Sequence, residues 1–394
     1  MSSWDKVRLS DICFITSSKR IFAKEYQKVG IPFYRGKEII EKHNGNNVST
    51  ELFISRERYE EIKRKFDVPR KGDILLSSVG TLGVPWLVND DEFYFKDGNL
   101  TWLRNNDKTT SEFLYLWLNS PEAQNQIDMM CIGSTQKALT IETLNKFEVS
   151  LPDKNSQIKI CNVFYPILRK IELNRKVNDN LLQQAQAIFT QEFLNVEGIP
   201  DGWKESSLLG IADYLNGLAM QKFRPKDDEQ GLPVLKIKEL RQGACDASSE
   251  LCSPSIKPEY IVHDGDVIFS WSGSLLVDFW CGGTCGLNQH LFKVTSDTYD
   301  KWFYYAWTNH HLQKFVAIAA DMATTMGHIK REELSKAVVL IPSQSDYDRI
   351  GGLLAPLYDL VIANRIENRK LAALRDELLP QLMSGQLDVS EVDL

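Results

Sequence analysis

No run of about 18 consecutive apolar residues occurs in this 394-residue chain, which excludes a membrane-spanning helix of ordinary length. The first residues, MSSWDKVRLSD, lack the apolar core of a secretory signal, so a cytoplasmic location is expected. Seven cysteines, an odd number in a long chain, fit a reducing compartment better than a disulfide framework. Catalytic signatures are missing too. A phosphate-cradling loop needs Gly-x-x-x-x-Gly-Lys-Ser/Thr, and the nearest run, Gly30 to Gly36-Lys37-Glu38, has one residue too many and a carboxylate in place of the hydroxyl. Neither a His-Glu-x-x-His pair, a Gly-x-Ser-x-Gly elbow, nor an Asn-Pro-Pro-aromatic run for base methylation is present. Cys245, Cys252, Cys281 and Cys285, with His263 and His290, could supply metal ligands. Their spacing is irregular and the first half has no match, so the expectation is thiols and no metal site.

Surplus positive charge is lacking as well. The net charge is −7, awkward for a partner of phosphates, but residues 1–150 carry 21 basic and 21 acidic side chains, so the acidic excess lies later. The basic stretch Arg56, Arg58, Lys63, Arg64, Lys65, Arg70 and Lys71 is interleaved with Glu57, Glu60, Glu61 and Asp67. Such a run reads more simply as a solvated helix face with i,i+4 pairs than as a phosphate track.

What the chain does contain is a second copy of itself. Ile31–Ile39 (IPFYRGKEI) answers Leu232–Leu240 (LPVLKIKEL), and Gly72–Gly80 (GDILLSSVG) answers Gly265–Gly273 (GDVIFSWSG). An aromatic helix, FLYLWLNS or WFYYAWTN, then a Thr-rich loop, then a strand ending in Pro152 or Pro342 complete each copy. From there an offset of 190 residues holds without gaps to the end of both halves. Gly-Asp feeding an apolar run is a turn entering a strand, so each copy is expected to be an α+β globule.

Beyond each proline the apolar period changes to three and four. Ile160, Val163, Ile167, Ile171, Leu181, Ala185 and Ile188 match Ile350, Leu353, Leu357, Val361, Leu371, Arg375 and Leu378. Both stripes are interrupted at Asn174 and Asn178 and at Asn364 and Asn368, and Asn on a helical seam fixes register at a cost in stability. Two readings fit: the helices pair antiparallel within the chain, or each packs on its own globule. Pro166 and Pro356 predict a break near each start, with long helices from about Pro166 to Leu194 and Pro356 to Ser384. Roughly 28 residues span about 42 Å, close to the roughly 34–36 Å of one DNA turn.

Polar loops recurring in both copies are the candidate binding residues. They are Lys37, Ser77, Ser78, Thr81, Thr135, Gln136 and Lys137 in the first, and Lys236, Lys238, Ser270, Trp271, Ser272, Thr324, Thr325, His328, Lys330 and Arg331 in the second. Hydroxyls, amides and cations on loops suit contacts to phosphates and base edges; equally, Ser, Thr and Gly simply build turns.

These blocks, with the C-terminal run Leu374–Val389 (LRDELLPQLMSGQLDV), resemble the specificity subunit of type I restriction–modification systems over the whole chain. The second Thr loop departs from that pattern, with Thr325-Met326 where the family has Thr-Gln. The resemblance implies an α+β protein of two pseudo-repeated target-recognition domains (1–152 and 199–342). Two long helices (153–198, and 343–394 with the tail) would join them, pairing as an antiparallel coiled coil. It also implies a non-catalytic role, each domain reading one half of a bipartite double-stranded DNA site. The helices would set the spacing and dock two modification (methyltransferase) subunits, which restriction subunits join. S-adenosylmethionine, ATP and Mg would then sit on those partners, with no cofactor in this chain. A scaffold that binds no DNA is the competing expectation.

Overall fold

In a computed structural model of the chain, residues 4–46, 48–131, 138–321, 329–387 and 389 are described. Two compact units emerge. The first combines residues 1–172 with 372–394, and the second is residues 173–371.

Each unit is built on the same sheets. In the first, strands Cys13–Thr16, Leu100–Asn105, Ile74–Ser77 and Pro85–Leu87 form an antiparallel sheet in that order. In the second, Asp213–Asn216, Leu291–Thr295, Val267–Ser270 and Leu276–Phe279 repeat it. Beside it, Ile31–Tyr34 and Leu232–Leu235 each centre a smaller mixed sheet. An antiparallel pair closes each unit, Asp5–Arg8 with Glu148–Leu151 and Lys204–Ser207 with Val338–Ile341. The duplication read from motifs is therefore a duplication of topology.

The shared motifs have local causes. Gly72 and Gly265 adopt φ of 90° and 87°, the left-handed region glycine tolerates. The following aspartates close the turn: Asp73 Oδ2 accepts from Arg70 N at 2.9 Å and Asp266 Oδ2 from His263 N at 2.8 Å. The strands that follow, ILLS and VIFS, are buried at every position, which explains their unbroken apolar runs. In the Ile-Pro motif the glutamate is structural. Glu38 and Glu239 are fully buried at the third position of short helices and accept from the backbone N–H of Arg35 (2.8 Å) and Lys236 (3.2 Å), closing each helix start.

The long helices run Lys154–Phe189 and Gln344–Met383. The expected breaks are absent: Pro166 and Pro356 lie inside continuous helices. Each proline frees the carbonyl four residues upstream, at Asn162 and Gly352. Both of those positions are exposed, so solvent satisfies the group and the helix continues. A single wider turn, Thr190–Leu194, ends the first helix and directs Phe189 and Phe193 into an aromatic core with Trp307 and Phe303. Both are buried there, at roughly 1.5–3 kcal/mol for a fully buried side chain of this size.

Within the second unit, the helices are antiparallel. Asn364 Nδ2 donates to Asn178 Oδ1 at 2.9 Å, Asn174 Nδ2 to Asn368 Oδ1 at 2.9 Å, and Arg349 grips Glu192 with two bonds of 3.0 and 2.8 Å. Each Asn meets the counterpart of the other, since Asn364 answers Asn174 and Asn368 answers Asn178. The inward residue one turn after Ile350 is Leu354, not Leu353, which is exposed. The same helix also packs on its globule: Arg365 pairs with Asp278 at 2.6 Å and Arg369 with Asp264 at 2.6 Å. Pairing and packing, posed as alternatives, occur together. Within the first unit, Leu379, Leu382, Met383 and Val389 share one core with Ile160, Phe164, Phe113 and Trp117.

Candidate nucleic-acid interface

Three motifs distant in sequence meet at one corner of each unit. In the first, the turn after strand Ile74–Ser77 is closed by Ser77, whose hydroxyl donates to Thr81 O at 2.6 Å and accepts from Val84 N at 2.9 Å. Leu139 N, just past the Thr-rich segment, donates to Ser78 O at 3.0 Å. A Cβ on Gly36 would stand 4.0 Å from Val79 O, which places the Arg35–Glu38 helix start beside the same turn.

The second unit repeats the arrangement. Ser270 Oγ donates to Ser274 O at 3.0 Å, Ile329 N donates to Trp271 O at 3.0 Å, and Ile237 Cδ1 lies 3.7 Å from where a Cβ on Gly273 would be. Gly80 and Gly273 supply the positive φ, 82° and 67°, that these turns require.

The geometry sorts the candidates. Ser77, Ser78, Ser270 and Ser272 are buried: Ser78 bonds Thr101 Oγ1 at 2.7 Å and Ser272 bonds His290 Nδ1 at 3.1 Å. Their hydroxyls are spent inside the turn, so they shape the corner without facing a ligand, a correction to their assignment as contact residues. Lys236 is half-buried against Glu250, which it holds below the usual carboxylate range, and it too serves the fold first. Thr81, Lys330 and Arg331 are exposed, although Arg331 also donates to Tyr214 O at 2.9 Å.

Lys37 and Lys238 occupy equivalent positions with side chains 54% and 53% exposed, each in a loose surface pair, with Glu41 at 3.8 Å and Asp246 at 3.4 Å. Pairs of that kind are worth about 0–1 kcal/mol, so a phosphate can displace the carboxylate. Trp271 stands half-buried, its indole donating to Asn216 Oδ1 at 3.0 Å and its ring near His290. Thr135, Gln136, Lys137, Thr324, Thr325 and His328 lie outside the described residues.

Sequence reasoning overlooked Arg35, Val79, Asn216 and His290 at these corners. Arg35 carried a signal, since it is the counterpart of Lys236 in the second copy. The basic stretch 56–71 is largely neutralised: Arg56 pairs with Glu92, Arg58 with Glu61, Lys65 with Glu61, Arg70 with Asp67 and Lys71 with Asp90. Glu61, between Lys65 and Arg58, is pulled down to about 2.

Cys245 lies in contact with the buried Cys285, but among the described residues no group of three or more His, Cys, Asp or Glu side chains is placed to hold a metal ion. Also among the described residues, no helix is long and apolar enough to cross a membrane.

Comparison with known proteins gives a consistent picture. The family described as type I restriction modification DNA specificity domain matches residues 1–183 and again 200–374. The chain is 23% identical over 415 residues to the type I restriction enzyme MjaIX specificity subunit of Methanocaldococcus jannaschii, covering 99% of this chain and 94% of that protein. A putative type I restriction enzyme specificity subunit of Haemophilus influenzae is 30% identical over 185 residues, 46% of this chain and 44% of that protein. In fold, the chain is similar to the crystal structure of a type I restriction–modification S subunit from M. genitalium, with a TM-score of 0.56 at 16% identity over 96% of both chains.

Proposed function

The chain belongs to the type I restriction–modification DNA specificity family, matched by both of its halves, and from that premise we propose that each unit's corner reads one half of a bipartite DNA site. As a specificity subunit it is the recognition component of a larger assembly with methyltransferase and restriction subunits, and it does no chemistry itself. The observation that carries the reading is the repeated corner: two copies of one turn and helix start, each tied to the residue that follows a Thr-rich segment and each with an exposed lysine at the same position.

Lys37, Lys238 and Lys330 are assigned to phosphates, which position the protein. Thr81, Trp271, Arg331 and the Thr-rich segments are assigned to base edges, which specify sequence. The antiparallel helices set the gap between half-sites. Their exposed Leu173, Val177, Leu353 and Leu360 offer apolar surface for two methyltransferase subunits. S-adenosylmethionine, ATP and Mg are then bound by the partners, in the cytoplasm. The acidic balance of the chain follows if much of its surface faces protein instead of DNA.

Adenine-methylation mapping in cells carrying the chain and its methyltransferase partner tests the reading. It predicts methylated sites made of two short half-sites separated by a fixed gap. A scaffold that binds no DNA, which the net charge of −7 favours, predicts that exchanging this chain for another leaves the methylated sequence unchanged.

A further inference from the structure

The second unit holds a cavity of about 400 Å³ that the first unit does not share in composition. It lies between the start of helix Lys301–Asp321 and the amino-terminal half of the second long helix. Trp302 and Tyr358 are buried and Tyr347 half-buried, while Asp300, Asp348 and Asp359 are exposed, giving an aromatic floor under an acidic rim. The lining carries three carboxylates and one ammonium, that of Lys301.

Two small residues keep the cavity open. A Cβ on Gly351 would stand 2.9 Å from Trp302 Nε1, so only glycine lets the indole lie against the helix. Ala355 leaves space one turn further on. At the 190 offset the first unit has Cys161 for Gly351, Tyr165 for Ala355, Leu168 for Tyr358, Ile158 for Asp348 and Arg169 for Asp359. The two small positions are enlarged, the aromatic ring of Tyr358 is replaced by a smaller side chain, and every acidic position of this helix face is lost or reversed. Gln157, at the place of Tyr347, is buried and bonded to Thr109, Thr110 N and Pro152 O.

One further group points to an occupant. Trp302 is 3% exposed, and its indole N–H makes no hydrogen bond among the described residues. That nitrogen is not among the fully enclosed polar atoms left without a partner, so it opens to the cavity, where a ligand carbonyl can take the place of water.

We propose that this cavity receives an arginine or lysine side chain, with its adjoining backbone carbonyl, from a segment of one methyltransferase subunit. The cation meets the faces of Tyr347 and Tyr358 and the rim carboxylates, an arrangement that attracts cations by ring quadrupole and by charge together. The carbonyl takes the Trp302 N–H. Because the first unit fills and recharges the equivalent place, the contact is made once per chain, and two otherwise equal partners are held unequally. The inference rests on the assembly reading above.

The test measures association of purified methyltransferase subunit with the full chain by sedimentation, for wild type, Ala355→Tyr, which writes the first unit's side chain into the cavity, and Asp359→Arg, which changes only an exposed rim charge. The expected result is a loss of at least about tenfold in affinity for one of two bound subunits in both variants, with unchanged thermal unfolding. Full affinity in either variant overturns the cavity proposal while leaving the assembly reading intact. A wild-type chain that binds no methyltransferase subunit overturns both.

Discussion

Replacing Asn178 and Asn364, singly and together, by leucine tests whether the helix seam is held by a mutual polar contact. In the native pair Asn364 Nδ2 donates to Asn178 Oδ1 at 2.9 Å, and Asn178 Nδ2 reaches Val361 O at 3.4 Å, both side chains being buried. Asn178→Leu strands the Asn364 amide, and Asn364→Leu strands the Asn178 carbonyl. A buried polar group left unmade costs about 1–3 kcal/mol. In the double variant no polar group is stranded between them, and replacing both partners by apolar groups is nearly neutral or stabilising. For a unit of about 200 residues, each kcal/mol moves the midpoint by about 2–4 °C. The single variants are therefore expected to melt about 2–12 °C below wild type in scanning calorimetry, and the double variant above either single. Costs that simply add in the double variant, to within about 0.5 kcal/mol, would refute the idea that the two asparagines act as one unit.

Other outcomes follow from the same geometry. Lys37→Ala and Lys238→Ala should each weaken DNA binding of the assembled complex alike for all sequences and lower the slope of log K against log salt by about one; a changed sequence preference would contradict their assignment to phosphates. Trp271→Ala should alter or relax the half-site read by the second unit and leave the other half-site as it was, by methylation mapping. Arg369→Ala should cost about 1.5–3 kcal/mol, since its guanidinium bonds both oxygens of Asp264 and Cys281 O at 2.6, 2.7 and 2.7 Å. The same pair sets a pH dependence. Arg369 holds the Asp264 carboxyl below its ordinary value, so the stabilisation is complete above the usual carboxylate range and fades as pH falls through the depressed one. Asp264→Asn should flatten that acid limb of the unfolding curve, and an unchanged limb would count against it.

Much of the fold could be seen in the residues because the duplication repeats local physics. Gly72-Asp73 and Gly265-Asp266 each need a positive φ and a capping carboxylate, and Glu38 and Glu239 each close a helix start, so the strand-to-helix order was legible twice. The seam was legible from steps of three and four, including its four asparagines. Less visible was anything decided by solvent or by distant packing. The prolines read as breaks because their lost bond looks the same in a buried or an exposed helix, and only exposure at Asn162 and Gly352 lets the helix run on. Ser77, Ser78, Ser270 and Ser272 looked like binding hydroxyls because sequence does not reveal that their Oγ atoms turn inward to Thr81 O, Thr101, Ser274 O and His290. The direct contacts in the Thr-rich loops were named by position alone.

The first unit draws on segments before and after the second: its core holds Phe113 and Trp117 together with Leu379, Leu382 and Met383, and Gly385 lies against Trp4. On a ribosome the part made first is thus completed last. Residues 1–172 must wait, with part of an apolar core uncovered, for some 200 residues of the second unit to be made before the closing segment arrives. The second unit, a continuous stretch, has no such delay. A chain cut short before Ala372 would keep a complete second unit and leave the earlier-made one open, so a product interrupted there carries an exposed apolar core beside an intact neighbour.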